Sequence, residues 1–385
     1  MVDFQRFLKA PASSFFLFGP RGTGKSTWLA DVFPEAIQIN LLLNEDFREY
    51  SSKPERIREK LEGMGDRVVV IDEVQRVPEL LSEVHSLIEQ KRGFRFVLTG
   101  SSSRKLKRTG VDMLGGRAVL CRMHPFMASE LGPAFNLDRA LRLGLLPLVW
   151  SSPEPEKTLK GYAGLYLNEE VKMEGLVRRV GDFARFLEVM AFSHGAVLNL
   201  SNVSRECGIN RKTVESHVSI LEDLLLGFRI PVFTRRAKRV VIAHEKFYYF
   251  DAGIYRSLRL RGPEDRSEEM AGGALEGLLA QHLRAWVDYS ENDAKLSYWR
   301  TPSGTEVDFV VHGPGIFDVI EIKNTPRERE KDLKPLRAFK ADYPRARACF
   351  LYRGKERFVR HGISILPVKE FLSFLVPGKP LPIDA

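Results

Sequence analysis

The sequence predicts an α/β fold, and three observations lead to that prediction. Five short apolar runs, at residues 14–18, 37–43, 68–71, 94–100 and 118–123, alternate with helical stretches, of which residues 79–90 are the clearest. Two of the runs end directly in glycine-rich or acidic segments, as parallel strands do at the edge where they hold a ligand. Nearer the carboxyl end, a long helical stretch precedes three further strand-like runs, at residues 295–300, 306–311 and 317–322. We therefore expect a doubly wound parallel sheet first, a helical segment next and a smaller α/β domain last.

Length and composition bound the class of protein. The 385 residues suffice for two or three domains, and 44% hydrophobic with 28% charged residues is an ordinary globular composition. No run approaches the roughly 20 apolar residues that span a bilayer, and the run at residues 14–18 is too short for a signal sequence. We therefore expect a cytoplasmic protein with no membrane partner. The cysteines at 121, 207 and 349 are far apart, which predicts buried thiols rather than disulfides or a zinc site.

The strand at residues 14–18 leads directly into the pattern G-x-x-x-x-G-K-[ST] at residues 19–26. In this phosphate-binding loop, backbone N–H groups surround the phosphates of a nucleotide, Lys25 adds a positive charge and the Ser26 hydroxyl ligates magnesium. The sequence therefore predicts binding of ATP with Mg²⁺. The predicted nucleotide contacts of the loop are Gly19, Pro20, Arg21, Gly22, Thr23, Gly24, Lys25, Ser26 and Thr27.

Two further strands end in residues that suit hydrolysis of the bound nucleotide. The apolar run at residues 68–71 is followed directly by Asp72 and Glu73. Asp72 would hold the magnesium through water, and Glu73 would orient and deprotonate the attacking water. The alternative is a strand that ends in a solvated acidic turn. The run at residues 94–100 ends in Ser101, whose hydroxyl either contacts the γ-phosphate or belongs to an ordinary serine-rich loop.

Phosphoryl transfer also needs positive charge near the γ-phosphate, often an arginine from a neighbouring subunit. Arg117, just before the fifth predicted strand, is our candidate, and Arg122 and Arg104 are the alternatives. If this arginine acts between subunits, the protein is a homo-oligomer, for which a hexameric ring is one form.

A proline-containing break at residues 151–156 marks the edge of the nucleotide-binding core. Residues 200–218 then predict two short helices, with Gly208 in the turn and Asn210 capping the second helix. In such a helix-turn-helix, the start of the second helix faces the bases of the DNA major groove. The alternative is a lid or a protein-interaction module. The predicted DNA contacts are Arg211, Lys212, Thr213, Ser216 and His217.

The positive charge of the chain is concentrated after this motif. The formal net charge is +9, and residues 228–261 hold nine Lys or Arg against two acids. A local basic segment suits a polyanion, because neutralising phosphates releases counterions. The alternatives are a solvated face or binding of RNA or an acidic protein. The predicted DNA contacts here are Arg235, Arg236, Lys238 and Arg239.

The last third places two acids within apolar strand sequence. Asp308 lies in the run at residues 306–311 and Glu321 ends the run at residues 317–322, with Lys323 two residues later. Buried acids need a positive neighbour. On adjacent strands they would share Mg²⁺ or Mn²⁺, with Lys323 near the attacking water or the scissile phosphate. The alternative is a small α/β fold with acids exposed at its edge.

Together these features resemble the prokaryotic AAA-family ATPases whose C-terminal domain is similar to restriction endonucleases. The matching stretches read GPRGTGKS, VIDEVQ, LTGSS, LGGR, KFYYFDAG, GALE, YWRT, GTEVD and EIK. The resemblance implies a P-loop AAA-type parallel sheet at residues 1–150, an all-α, winged-helix domain at residues 151–260 and a PD-(D/E)xK nuclease-like α/β domain at residues 261–385. It implies a nuclease-like active site formed by Glu276, Asp308, Glu321 and Lys323, in which Glu276, Asp308 and Glu321 are the metal ligands.

The function expected from the whole pattern is a DNA-dependent ATPase, in the manner of a helicase or translocase. Metal-dependent cleavage at the C-terminal acids is a second expected activity, and analogy with junction-resolving nucleases suggests branched or recombining DNA as the substrate. The alternative is a nucleotide-dependent signalling switch that binds DNA or protein without cutting it.

Overall fold

The computed structural model describes residues 4–91, 93–101, 114–166, 180–234, 245–260, 262 and 267–384. The chain forms two compact units. The first, here called the N-terminal unit, comprises Leu8–His124 and Ile220–Leu226. The second, the C-terminal unit, comprises Met1–Phe7, Pro125–Ser219 and Gly227–Ala385. The domain boundaries predicted at residues 150 and 260 stay predictions.

The N-terminal unit is built on a parallel sheet, as the sequence predicts. Within the described residues the sheet has five strands in the order β2-β3-β4-β1-β5, and every neighbouring pair is parallel. Each predicted apolar run is confirmed as a strand, with ends that differ by up to three residues. The strands are β1 Phe15–Phe18, β2 Ile37–Asn40, β3 Val68–Asp72, β4 Arg95–Gly100 and β5 Val119–Arg122.

Helices cover both faces of this sheet. Because alternate side chains of a strand point to opposite faces, Phe16 shares a buried cluster with Val84, whereas Phe15 shares another with Trp28. Strands buried on both faces read as continuous apolar runs, which is why the sequence reveals them. The helices are α1 Lys25–Val32, α2 Asn44–Ser52, α3 Arg56–Leu61 and α4 Leu80–Glu89.

The following part of the chain is mainly helical. Its helices are α5 Ala128–Leu131, α6 Leu137–Leu143, α7 Pro147–Trp150, α8 Pro155–Gly161, α9 Val180–Met190, α10 Leu200–Cys207, α11 Arg211–Asp223, α12 Ala252–Leu258 and α13 Ser267–Tyr289. A small antiparallel sheet in the order β6-β8-β7 accompanies them. Its strands are β6 Ala196–Val197, β7 Gly227–Ile230 and β8 Lys246–Tyr249.

A mixed sheet of six strands, in the order β13-β14-β12-β11-β10-β9, ends the described chain. The strands are β9 Lys295–Arg300, β10 Glu306–Gly313, β11 Ile316–Ile322, β12 Arg347–Tyr352, β13 Phe358–Arg360 and β14 Ile363–Pro367, and the helices are α14 Lys334–Asp342 and α15 Val368–Phe374. The three predicted strands are confirmed. The 3₁₀ turn Glu330–Leu333 leads directly into α14.

Two further predictions concern burial and membranes. Cys207 and Cys349 are buried and Cys121 is half-buried. Among the helices of the described ranges, none is both long enough and apolar enough to cross a membrane.

Candidate functional site

The predicted phosphate-binding loop lies between β1 and the amino end of α1. Gly22 and Gly24 have φ values of 80° and 89°, a left-handed conformation that glycine adopts without strain. A Cβ atom on Gly19 would lie 2.6 Å from the Met123 carbonyl oxygen, so a larger residue does not fit at the start of the loop. The chain therefore turns tightly enough for backbone N–H groups and the amino end of α1 to converge on one anion.

The side chain of Lys25 lies over this loop, and only 7% of the residue is exposed. Its ammonium donates to the carbonyl of Gly19 at 2.7 Å and approaches that of Pro20 at 3.4 Å. The Thr23 hydroxyl donates to the same Pro20 carbonyl at 2.8 Å, which fixes the curvature of the loop. Ser26 follows on the exposed first turn of α1. The loop thus contains the donors that bind the phosphates of a nucleoside triphosphate and the hydroxyl that ligates its magnesium ion.

Asp72 and Glu73 lie where β3 ends. The Thr99 hydroxyl, on the neighbouring strand β4, donates to the Asp72 carboxylate and accepts the Glu73 backbone N–H at 3.3 Å. Glu73 has a φ of 58°, a left-handed conformation that costs energy for a non-glycine residue and is common where side chains must be aimed at a ligand. Thr99 thus orients both acids at the edge where a parallel sheet binds ligands.

Gln75 connects these acids to the end of β4. It is 3% exposed, and its amide donates to the Glu73 carboxylate and, at 3.3 Å, to the hydroxyl of buried Ser101. Its carbonyl oxygen has no hydrogen-bond partner among the described residues. A Cβ on Gly100 would lie 2.4 Å from that oxygen, so the glycine gives Gln75 its space. Sequence reasoning assigned Gln75 no role, although it lies two residues after the predicted catalytic acid.

The side chains at this edge fit magnesium. The cation prefers oxygen ligands, and the Ser26 hydroxyl and the Asp72 carboxylate supply two of suitable chemistry. When bound with ATP, Mg²⁺ would neutralise charge on the β- and γ-phosphates. The specific assignments of residues 19–27, Asp72, Glu73 and Ser101 stay predictions of role, now with a defined geometry.

The arginine candidates lie at different places. Arg117 follows the turn Leu114–Gly116, is about 40% exposed and pairs with Glu89 of the same chain. Arg122 is the last residue of β5 and is half-buried. Arg104 lies outside the described residues. The assignment of Arg117 as the arginine finger therefore stays a prediction.

The two predicted helices of the middle segment are present as α10 and α11. Gly208 between them has a φ of 69°, and the Asn210 side chain caps α11 by accepting the Thr213 N–H at 2.8 Å. Asn199 caps α10 in the same way, accepting from the N–H groups of Ser201 and Asn202 at 3.1 Å. The sequence signals of a turn glycine and a capping asparagine therefore place both helices correctly.

Exposure divides the predicted DNA contacts of α11. Arg211, Lys212 and Ser216 are exposed and Thr213 is half-buried. His217 is 5% exposed and lies 5.1 and 5.0 Å from the rings of Phe183 and Phe186 on α9.

The prediction that His217 faces DNA is therefore wrong. Burial lowers its pKa, and the charge of Asp182 opposes that shift only in part. A neutral ring inside an aromatic core neither reaches bases nor attracts phosphates.

The basic segment is also less uniform than its composition suggests. Arg235, Arg236, Lys238 and Arg239 lie outside the described residues. Arg229 forms an ion pair with Glu245 at 2.6 Å. Lys246, counted with the positive charge of this segment, is 1% exposed and faces acids rather than solvent. The expected polyanion surface therefore does not include Lys246.

The C-terminal acids come together as the sequence predicts, but around two lysines. We call this group the acid–lysine cluster, and its members are Lys246, Glu276, Glu306, Asp308, Glu321 and Lys323. The Lys323 ammonium lies 2.5 Å from a Glu321 oxygen and 3.7 Å from Oδ2 of Asp308. The Glu321 carboxylate accepts the Asp308 N–H at 3.3 Å, and Asp308 accepts the Ile322 N–H at 3.0 Å. Strands β10 and β11 thus exchange side chain to backbone hydrogen bonds beside the acids.

Lys246 adds the second positive charge of the cluster. Its ammonium lies 2.6 Å from Glu306, 3.1 Å from Glu276 and 3.5 Å from Oδ1 of Asp308. The Tyr248 hydroxyl, also on β8, donates to Glu276 at 2.7 Å. Sequence reasoning missed Lys246, Tyr248 and Glu306. The available signals were a lysine at the start of an aromatic strand and an acid two residues before Asp308, on the same face of its strand.

The pKa values reflect this crowding. Burial and the nearby Asp308 raise the pKa of Glu321 to about 8, against the opposing charge of Lys323. Burial and Asp308 also raise the pKa of Glu276. Burial alone would lower the pKa of Lys246, but Tyr248 and the surrounding carboxylates outweigh it and raise that pKa well above its ordinary value. Lys246 therefore stays charged, whereas Glu276 and Glu321 take up a proton more readily than ordinary glutamates.

The arrangement does not fit the predicted shared magnesium. No three Asp, Glu, His or Cys side chains in the described ranges are placed to hold one metal ion. The Lys246 ammonium lies among the carboxylates of Glu276, Glu306 and Asp308, where a cation bound by them would lie. The predicted ligands are thus adjacent, but lysines provide the positive charge.

Family comparisons divide the chain into three stretches. Residues 12–132 match a family described as AAA domain. Residues 134–265 match a domain of unknown function, DUF8612, and residues 271–371 match another, DUF4143. No curated protein matched the chain in a sequence search.

Two solved structures show a weak likeness. Protein VC1899 from Vibrio cholerae is 13% identical over 95% of this chain and 96% of its own, with a TM-score of 0.23. The Signal Transduction ATPase with Numerous Domains (STAND) protein PH0952 from Pyrococcus horikoshii, which has a tetratricopeptide repeat sensor, is 14% identical. That match covers 72% of this chain and 45% of the other, with a TM-score of 0.22.

The AAA-domain match, the parallel sheet and the phosphate-binding loop together define the class of the N-terminal unit. It is a P-loop ATPase domain of the AAA type. The activity expected of such a domain is ATP hydrolysis.

Proposed function

We propose that this protein is a DNA-dependent ATPase, in which the N-terminal unit hydrolyses ATP and the C-terminal unit binds DNA. The observation that supports DNA binding most directly is the start of α11, where Arg211, Lys212 and Ser216 are exposed on the second helix of a capped helix-turn-helix. Two cations beside a polar side chain at this position suit phosphates and base edges.

The order of elements around this motif supports our proposal that it is a winged helix. Strand β6 lies between α9 and α10, and β7 and β8 follow α11 as an antiparallel pair. The segment between β7 and β8 corresponds in the chain to a wing, and by sequence it contains Arg235, Arg236, Lys238 and Arg239. We propose that these four residues contact the DNA backbone. Reversing their charge should weaken DNA binding and flatten its salt dependence while ATP binding at Lys25 is unchanged.

In the proposed hydrolysis, Lys25 and the loop amides bind the phosphates, with Ser26 and Asp72 positioned for the accompanying Mg²⁺. Glu73 accepts the proton of the attacking water, oriented by Thr99 and Gln75. An arginine from a second subunit, for which Arg117 is the candidate, would stabilise charge on the γ-phosphate. This step requires a homo-oligomer, such as a ring of six, and molecular mass measured with and without ATP tests it.

The decisive experiment for the proposed function is ATP turnover measured alone and with linear, forked and four-way DNA. We expect at least one DNA form to raise the rate, and a preference for forked or four-way DNA would support action on branched substrates. A helicase or translocase would in addition unwind or move along its preferred form. A rate indifferent to every DNA form would refute DNA dependence while leaving the ATPase domain intact.

Cleavage of DNA by the C-terminal domain is a second candidate function. The observation in its favour is the convergence of Asp308, Glu321 and Lys323 with Glu276 nearby. The placement of Lys246 counts against it and favours the alternative, an ATP-controlled switch that binds DNA or protein without cutting. Labelled DNA incubated with Mg²⁺ or Mn²⁺ separates them. Products that vanish in Glu321→Ala would show a nuclease, and their absence under all conditions would favour the switch.

A further inference from the structure

The cation of the acid–lysine cluster is already part of the chain. Lys246 is 1% exposed, and an ammonium group has three N–H donors. Its three carboxylate neighbours, Glu306 at 2.6 Å, Glu276 at 3.1 Å and Asp308 at 3.5 Å, match that number. The ammonium also lies 5.5 Å from the ring centre of Tyr298, within the range of a cation–π contact. Lys246 therefore has no accessible donor left for solvent.

Asp308 is engaged from two sides. Its Oδ1 faces Lys246 at 3.5 Å, and its Oδ2 lies 3.7 Å from Lys323 and accepts the Ile322 N–H at 3.0 Å. Magnesium needs oxygen ligands at about 2.0–2.1 Å in octahedral geometry and usually keeps several waters. An ion bound by Asp308 and Glu276 would lie within a few ångströms of the Lys246 ammonium, where repulsion between like charges is strong.

The main chain holds Lys246 in place. It is the first residue of β8, the central strand of the three-stranded sheet, and it pairs with Val197 of β6 and Ile230 of β7. A lysine on a surface loop could swing aside to admit a metal ion. Lys246 cannot swing aside in this way, because its backbone is paired on both sides and its side chain is buried.

We propose that Lys246 is the resident cation of the acid–lysine cluster and that it excludes divalent metal ions from Glu276, Glu306 and Asp308. The cluster is then complete without metal, and it joins the sheet beside the helix-turn-helix to the six-stranded sheet. The inference goes beyond the proposed function, because it concerns ion binding without ATP or DNA. It also specifies what must change before these carboxylates could take up a metal ion.

The test is Mn²⁺ binding to the full-length, nucleotide-free protein, followed by electron paramagnetic resonance and by the shift of the melting temperature. Wild type and Glu276→Gln should bind the same amount of Mn²⁺, because the cluster holds none. Lys246→Met should bind about one additional Mn²⁺ per chain, since the three carboxylates, now arranged around an ammonium group, lose their cation and can move to enclose a metal ion. That additional site should disappear in Lys246→Met combined with Glu276→Gln. Any Mn²⁺ bound near Asp72 is common to all variants and cancels in the comparison.

Lys295→Met is the matched control, because it removes an exposed lysine at the start of β9 and should leave Mn²⁺ binding unchanged. A wild-type Mn²⁺ site that Glu276→Gln abolishes would overturn the proposal, as would a folded Lys246→Met protein that gains no site. Lys246→Gln is the second variant if Lys246→Met does not fold. If neither folds, equal binding by wild type and Glu276→Gln supports the proposal, and unequal binding refutes it. ATP turnover plays no part in this test, so its outcome is separate from that of the proposed function.

Discussion

The side-chain amide of Gln75 donates a hydrogen bond to the carboxylate of Glu73. The same amide reaches the Ser101 hydroxyl, so one buried side chain connects the proposed catalytic base with the end of the neighbouring strand. A glutamine carries no charge and cannot take the proton of the attacking water in place of Glu73. Its contribution is to fix where the carboxylate points, which makes Gln75 a positioning residue.

Gln75→Ala should lower kcat for ATP hydrolysis about tenfold, the equivalent of one hydrogen bond of roughly 1.4 kcal/mol. KM for ATP should change little, because the phosphate-binding loop is untouched. Gln75→Asn should recover part of the rate if orientation is the role. Steady-state kinetics on these variants and on Gln90→Ala, which removes an exposed glutamine, is the check. Equal losses in kcat and in ATP affinity would indicate a merely structural role.

Glu73→Gln should abolish most ATP turnover while ATP still binds. A general base contributes about 10²- to 10⁴-fold to a rate, and glutamine keeps the shape of the side chain without accepting a proton. Turnover together with equilibrium binding of a fluorescent ATP analogue separates the two effects. Glu79→Gln removes a nearby exposed acid and should leave both unchanged. Near-normal turnover in Glu73→Gln would assign the base to another residue.

Replacing both Arg211 and Lys212 with Glu should weaken DNA binding and reduce its salt dependence. Each lost phosphate contact lowers the slope of log affinity against log salt by roughly 0.9 for duplex DNA. Fluorescence anisotropy at several salt concentrations measures both quantities. Lys369→Glu reverses a single exposed lysine elsewhere in the C-terminal unit and should have little effect. An unchanged salt slope in the double variant would show that α11 is not part of a DNA interface. His217→Ala should instead reduce thermal stability, because the ring of His217 is buried.

The C-terminal unit should lose stability as the pH falls below about 6.5, in part because of His194. Its Nδ1 accepts the Tyr249 N–H at 3.1 Å and its Nε2 lies 3.2 Å from the Gly273 carbonyl, so the ring is neutral with its proton on Nε2. Burial lowers its pKa to about 3. Below pH 6.5, His194 therefore binds a proton in the unfolded chain, whereas in the folded chain it does so only near pH 3.

This difference lowers the free energy of unfolding by about 1.4 kcal/mol per pH unit, or roughly 2 kcal/mol at pH 5. Urea unfolding at pH 7 and pH 5 should show that loss in the wild type and a smaller one in His194→Asn, which has no proton to bind there. His361→Asn replaces an exposed histidine and should keep the wild-type pH dependence. An identical loss in His194→Asn would mean that other groups cause it.

Two glycines of α13 should respond in opposite directions to alanine. A Cβ on Gly277 would lie 2.2 Å from Nε2 of His194, whereas one on Gly272 would meet no atom of the described residues within 4 Å. Gly277→Ala should destabilise the protein by about 1–3 kcal/mol through overpacking. Gly272→Ala should stabilise it by about 0.5–1 kcal/mol, because alanine loses less backbone entropy in a helix. Thermal unfolding measures both, and equal effects would contradict this packing.

Local patterns predicted the parts of the site that are continuous in the chain. The phosphate-binding loop, the acids after β3 and the turn at Gly208 depend on neighbouring residues, and each lies where the sequence indicates. Lys246 could not be assigned in that way. Its role depends on β8 placing it against α13 and β10, and that contact between distant segments leaves no periodic signal.

His217 shows an error that the sequence could have prevented. Val214, Val218 and Leu221 repeat at helical spacing on α11, and position 217 falls on that same buried face. Histidine was assigned to DNA for its polarity, although the period of the helix placed it inside. The strands β12, β13 and β14 were missed for a different reason: they follow a charged segment, and a short apolar run after a helix does not by itself distinguish a strand from a buried helical turn.

Strand β8 is used on both of its faces. Lys246 and Tyr248 reach Glu276 on one face, whereas Tyr249 donates to the Leu187 carbonyl of α9. Successive side chains of a strand alternate, so an insertion or deletion of one residue within β8 would exchange the two sets. This has an evolutionary consequence. Strand β8 contributes both to the core behind the helix-turn-helix and to the contacts with the acids, so the two regions cannot change independently at this strand. In related chains, a replacement of Lys246 should therefore be accompanied by a compensating replacement of Glu276.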